Sequence, residues 1–227
     1  MQWDGKGSTK RKIQAIVFDM DGLIVDTEKL YFEVESAVAR KYGKTFTREV
    51  MRAMMGKRGI ESLRVLQEQL GIDEDPYVLL EMREQGYNQL LYEKLEPMPG
   101  LFSLLELTEG HRYRKAIATS SPASQMNFIV DRLGVRHFFE LLMSGEEVEY
   151  GKPHPEIYQK IAERLGLQSN QCLVLEDTEV GVRAAKGAEM YCIAVPNEFT
   201  KDHDFTLADL VVSSLEEVDL ALIQSFG

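Results

Sequence analysis

Cysteine is scarce in this chain: two residues among 227, Cys172 and Cys192. Both lie inside apolar runs ("QCLVLE", "YCIAVP") and read as buried, reduced thiols. A disulfide framework needs a denser pattern in a shorter chain. Long apolar runs are missing as well. None approaches the ~20 residues that cross a bilayer, so no membrane partner is expected. The opening "MQWDGKGSTKRK" has no apolar segment and is not expected to act as a secretory signal. Residues 1–11 are expected to form a flexible tail, and the cytoplasm is the expected compartment. Basic residues are outnumbered, 26 Lys and Arg against 37 Asp and Glu, for a formal net charge of -11. That field repels phosphate backbones and argues against nucleic acid. A small anionic substrate then requires a local site of opposite sign. The four histidines (His111, His137, His154, His203) have no partners at metal-ligand spacing, and His154 reads as part of a helix start. No repeat or low-complexity segment interrupts the chain.

The hydrophobic content, 44%, is ordinary for a globular protein. The length suits one large domain, or a core with a smaller insert. Short, β-branched apolar runs recur: Ile13 to Phe18, then 115–119, 140–144, 172–175, 191–195 and 209–212. Such runs suit buried strands. Between them "SPASQMNFIVDRLG" and "HPEIYQKIAERLG" have helical periodicity, and each closes on glycine. In the second, Ile157, Ile161 and Leu165 share one face. "DTEVGVRAAKGA" predicts a short helix capped by Asp177 or Thr178. Strands alternating with helices predict an α/β fold, a parallel sheet covered on both faces.

From about residue 28 to 96 the alternation stops. "EKLYFEVESAVARKYG" places Leu30, Val34, Ala37 and Val38 at helical spacing, and "IESLRVLQEQLG" does so with Ile60, Leu63, Leu66 and Leu70. A further long helix is expected to about Leu95, ended by "EPMPG". The expected organisation is a core from residues 12–27 and 97–227, interrupted by a helical cap over 28–96. The connections near Asp26–Thr27 and Pro97–Pro99 are natural hinges.

Ligands of parallel α/β sheets bind beyond the carboxyl ends of the strands. The polar residues there are Asp19 and Asp21 after the first strand, Thr119, Ser120 and Ser121 after the second, Lys152 in the loop after the third, and Glu176 and Asp177 after the fourth. Taken singly each has a plain structural reading: a helix cap, a strand-end hydroxyl, a solvated lysine. Together they describe one site. An all-oxygen acidic cluster suits Mg²⁺ rather than zinc. Asp19 and Asp177 would hold the ion, which attracts a phosphate. Lys152 adds positive charge, and Thr119 and backbone N–H groups beyond Asp19 can donate to phosphate oxygens. Of two aspartates two apart, one can attack phosphorus while the other protonates the leaving alcohol and then activates water.

These motifs resemble the haloacid dehalogenase superfamily of phosphotransferases. "FDMDGLIVDTE" is similar to its first motif, "AIATSS" to the second, "YGKPHPEIY" to the third and "CLVLEDTEVGVRAAKGA" to the fourth. The likeness runs from about residue 12 to 220. It implies a Rossmann-like core with a mobile helical cap inserted after the first motif. It also implies Asp19 as nucleophile and Asp21 as general acid/base, with Thr119 and Lys152 gripping the phosphoryl group. Mg²⁺ would be held by Asp19, the Asp21 carbonyl and Asp177, with Glu176 in or beside the shell. Gly22 would permit close backbone approach. Within the superfamily the chain resembles the helical-cap subgroup that holds pseudouridine-5'-phosphatase, 2-deoxyglucose-6-phosphatase and β-phosphoglucomutase.

The expected activity is Mg²⁺-dependent hydrolysis of small phosphate esters, sugar or nucleoside monophosphates, by a monomer. Substrate contacts are expected from Gly22, Glu28, Ser120 and, on the cap, Lys57 and Arg58. A phosphomutase of the β-phosphoglucomutase type shares every core motif. Glu28, and Tyr31 where the mutases tend to carry histidine, lean toward hydrolysis. A response-regulator receiver also combines aspartates, a hydroxyl and a lysine, but the insert, the second aspartate and the length argue against it.

Overall fold

In β1 (Ala15–Phe18) every residue is buried, and alternate side chains face opposite cores. Ile16 and Phe18 join one hydrophobic cluster, Ala15 and Val17 the other. The same split recurs in β2 (Arg114–Ala118), β4 (Cys172–Glu176) and β5 (Tyr191–Ala194). Leu173, Leu175, Ile117 and Ile193 line the first face, and Cys172, Val174, Ala116, Ala118, Cys192 and Ala194 the second. Both cysteines are free and buried, as expected. Small residues dominate the second face, where helices α7 (Glu156–Leu165) and α8 (Glu179–Gly187) pack.

With β3 (Leu141–Met143) and β6 (Leu210–Val211) the strands form one parallel sheet, in the order β3-β2-β1-β4-β5-β6. The fold is therefore α/β and Rossmann-like, and each strand falls where its apolar run predicts it. This computed structural model describes residues 12–55, 57 and 59–227. The expectation for residues 1–11 lies outside the described residues.

The chain from β1 to β2 is helical. It comprises α1 (Thr27–Lys41), α2 (Arg48–Met54), α3 (Gly59–Leu70), α4 (Pro76–Lys94) and, after Gly100, α5 (Leu101–Gly110). The periodicity anticipates α1, α3 and α4; α2 and α5 are additions. Asp26 caps α1 by accepting from the Lys29 N–H, and Asp75 caps α4 with Pro76 at its first position. Helices α1 and α4 lie against each other. Gly86 allows a close approach, since a Cβ there would meet Val34 Cγ1 at a tight 3.3 Å. One turn each way, Tyr31 stacks on Tyr87 (4.1 Å between centroids) and the buried Glu35 pairs with Arg83 (3.3 Å). The segments entering and leaving these helices run side by side: Met98 N–H donates to the Ile24 carbonyl (2.9 Å), and Val25 bridges Pro97.

Helix α6 (Ala123–Arg132) follows β2 and α9 (Leu220–Ser225) ends the chain. Helix α6 runs out at Leu133 before Gly134 (φ +70°), and α7 at Gly166 (φ +63°), both as the glycine signals predict.

Candidate active site

Sheet order decides the site. β1 lies between β2 and β4, so the loops beyond the three strands meet at one edge. Asp19 follows β1, Thr119 follows β2, Glu176 ends β4 and Asp177 follows it. All four are buried. Lys152 comes from the loop beyond β3 and reaches over β2, where its ammonium donates to the Ala118 carbonyl (3.0 Å). It ends 2.5 Å from Asp19 Oδ1 and 2.6 Å from Glu176 Oε1. Burial works against the Lys152 charge, but Asp19 and Glu176 outweigh it and hold the ammonium protonated.

Asp19, Glu176 and Asp177 each offer an oxygen within 4.8 Å of the others'. Three buried carboxyl groups face one ammonium, a formal excess of two negative charges. Burial pushes Asp19 well above the ordinary carboxylate range despite Lys152. Burial, then Glu28, Asp19 and Glu176, does the same to Asp177. Glu176 is well supplied with donors: Tyr158 Oη (2.8 Å) joins Lys152 on Oε1, while Oε2 accepts from the backbone of Asp177 and Thr178 and from the Thr178 hydroxyl. Asp177 is not. Asn197 donates to its Oδ2 (2.9 Å), but Oδ1 is buried with no partner among the described residues. An orphaned carboxylate oxygen in an oxygen-only cluster of formal charge minus two fits a hard divalent cation, which would hold the carboxyls ionised.

Asp21 sits apart from Lys152, inside a ring of neutral donors. Its Oδ1 accepts from Thr27 (3.0 Å) and Gln125 (3.4 Å), and its Oδ2 from Thr119 (2.9 Å) and Ser121 (2.7 Å). Gly22, at φ +82°, has no space for a side chain: a Cβ would stand 2.3 Å from Asp177 Oδ2 and 2.8 Å from Glu28 Oε2. That places Glu28 against the acidic edge. Burial, then the Asp21 charge, lifts its carboxyl to about 8. Ser120 is exposed and its side chain makes no hydrogen bond within the described residues; the backbone there faces Gly145. Lys57 is exposed, pairs with Glu61 (3.7 Å) and has no hydrogen bond to this cluster among the described residues, and Arg58 lies outside the described residues.

A family model described as haloacid dehalogenase-like hydrolase matches residues 16–195, which is most of the chain. The chain is a haloacid dehalogenase-like hydrolase. It is 36% identical over 176 residues to the phosphorylated carbohydrates phosphatase of Thermotoga maritima, covering 78% of this chain and 82% of that protein. It is 32% identical over 218 residues to a probable pseudouridine-5'-phosphatase of Drosophila melanogaster, covering 91% and 92%. Among solved structures, a putative β-phosphoglucomutase from Thermotoga maritima superposes with a TM-score of 0.76 at 33% identity, covering 90% of this chain and 96% of that one. The hydrolase is thus an enzyme of phosphatase type.

Several residues of the hydrolase's site escape a reading of the sequence. Asn197 follows β5 and ties Asp177 to the Gly22 carbonyl (3.2 Å), with its own Oδ1 accepting from the Phe199 and Thr200 backbones. Its only signal is that it is polar and follows a strand. Ser121 was readable as a strand-end hydroxyl but not as a partner of Asp21. Thr27 and Tyr158 fall inside the first and third motifs without a cue to their partners, and Gln125 lies in a helix with no local cue at all.

Proposed function

We propose that this hydrolase cleaves small phosphorylated metabolites, sugar or nucleoside monophosphates, through an aspartyl-phosphate on Asp19, with Mg²⁺ as its cofactor. The observation that carries the reading is the join made by Lys152, which binds Asp19 and Glu176 at once across three strand ends. The phosphatase names of the relatives support the substrate class.

Asp19, Asp177 and the Asp21 carbonyl would hold the ion, with Glu176 in or beside its shell, and the ion would neutralise the cluster and the phosphate. A carboxylate oxygen of Asp19 attacks phosphorus, and the bond from phosphorus to the leaving oxygen breaks. Asp21 gives its proton to that oxygen, releasing the alcohol. Asp21, now ionised, takes a proton from water as the water oxygen attacks phosphorus. Inorganic phosphate leaves, and Asp19 and the protonated Asp21 return. Lys152 and Thr119 hold the phosphoryl oxygens, which requires the Thr119 hydroxyl to turn from Asp21 toward them. Residues 28–96 act as a cap that opens for substrate and closes over the leaving group.

A mutase remains the second reading, supported by the putative β-phosphoglucomutase neighbour. Tyr31 disfavours it: burial raises its phenol far above neutrality, so it cannot relay protons as an imidazole does. Phosphate release across a panel of phosphorylated sugars, polyols and nucleosides, with Mg²⁺ and with chelator, tests the proposal. Release is expected with Mg²⁺ alone, and Asp19→Asn should reduce it to background while remaining folded. An isomeric phosphate formed from a sugar 1-phosphate would establish the mutase instead. No turnover of any ester would sink both.

A further inference from the structure

Of the four donors around Asp21, Gln125 alone among the described residues also hydrogen-bonds a side chain of helix α4. Its Nε2 is 3.4 Å from Asp21 Oδ1 and 2.8 Å from the Tyr87 hydroxyl. Its NH₂ group faces both partners, one hydrogen directed to Asp21 Oδ1 and the other to the Tyr87 oxygen as acceptor. Tyr87 is itself fixed. It is 5% exposed and stacks on Tyr31 at 4.1 Å with the rings inclined by 19°. Gln125 stands in the first turn of α6, directly beyond the β2 edge that carries Thr119 and Ser121. One amide thus spans the strand-end cluster and the helical segment over it.

We infer that Gln125 is a positioning residue for Asp21, held in line by Tyr87, so that proton transfer is efficient only while α4 lies over the sheet edge. The inference rests on the phosphatase reading above. The Gln125 contact to Asp21 is the longest of the four and has room to tighten when substrate binds. When α4 withdraws, the amide loses its anchor and Asp21 keeps only Thr27, Thr119 and Ser121. Thr119 is then shared between Asp21 and the phosphoryl group, and the acid is poorly held. The role concerns the proton and not the phosphorus. Gln125 makes no hydrogen bond to Asp19, Lys152, Glu176 or Asp177 among the described residues.

That distinction supplies the test. An alkyl phosphate needs the Asp21 proton to release its alcohol. p-Nitrophenyl phosphate does not, since nitrophenolate leaves unaided; only its second step, attack by water, uses Asp21. Gln125→Ala and Tyr87→Phe, the latter retaining the stacked ring, are compared with wild type. The expected result is about a tenfold fall in single-turnover cleavage of the alkyl phosphate that serves wild type best, a fraction of what a general acid contributes. The pre-steady-state burst of nitrophenolate should stay within about twofold of wild type, with the subsequent steady-state rate reduced. The double variant should be no slower than the slower single one, because both break one link. Thermal midpoints report that the variants are folded. Equal losses in the burst and in alkyl cleavage, additive effects of the two substitutions, or an unchanged alkyl rate would each overturn the assignment. If wild type cleaves neither ester, the phosphatase reading itself has failed, which is a different result.

Discussion

Gly22 holds the tightest corner of the site. Its φ of +82° is costly for any other residue, and three polar side chains occupy the space a Cβ needs. Gly22→Ala should lower stability by about 2–4 kcal/mol, read by urea denaturation, and should displace Asp177 or Glu28. A variant as stable as wild type would show that the corner relaxes freely. Glu28 offers a second prediction at this scale. Its folded carboxyl sits at about 8 against an ordinary 4.5, so the native state keeps a proton that the unfolded chain has released. Its contribution is therefore complete below pH ~4.5 and is lost as pH rises toward 8. In chelator, the thermal midpoint of wild type should fall between pH 5 and 8 more steeply than that of Glu28→Gln. Parallel curves would contradict the assigned shift.

Helix α8 is where an element serves the site. Thr178 is its N-cap: the hydroxyl accepts from the Gly181 N–H (3.0 Å) and donates to Glu176 Oε2 (3.1 Å). The first turn approaches Glu176 closely enough that a Cβ on Gly181 would overlap its carboxylate at 1.8 Å. Thr178→Ala loses both hydrogen bonds and should cost about 1–2 kcal/mol in chemical denaturation, the usual worth of a cap. Thr178→Ser should restore most of it. Elsewhere α2 meets the loop after β5 through Arg48–Glu198 (3.0 Å) and Arg52–Asp202 (2.8 Å), with Arg48 over Phe199. These exposed pairs contribute little to stability. Their place is notable because the same loop carries Asn197, the partner of Asp177.

Across the whole molecule the formal charge is -11, and the acidic cluster adds local repulsion to that field. Mg²⁺ should stabilise the fold by about 2.7 kcal/mol at a hundredfold excess over its Kd, seen as a thermal midpoint that keeps rising with the logarithm of ion concentration. Asp177→Asn should lose most of that rise; an equal rise in the variant would place the ion elsewhere. Much of this molecule is written locally. Six apolar runs mark six strands, because a buried parallel strand needs an unbroken run of apolar side chains. Asp19, Asp21, Thr119, Lys152, Glu176 and Asp177 are legible because each lies within a few residues of a strand end or a glycine signal. Among the described residues no helix is long and apolar enough to cross a membrane. What the order of residues leaves open is which loop meets which. Gln125 and Tyr87 are 38 positions apart and Asn197 is 175 from Gly22, and no periodicity links them. Exposed Ser120 shows the converse, a candidate by position whose side chain makes no bond in the cluster. Strand identity follows from side chains next to one another in the chain, whereas a hydrogen-bond network depends on distances that only the packed sheet and helices establish.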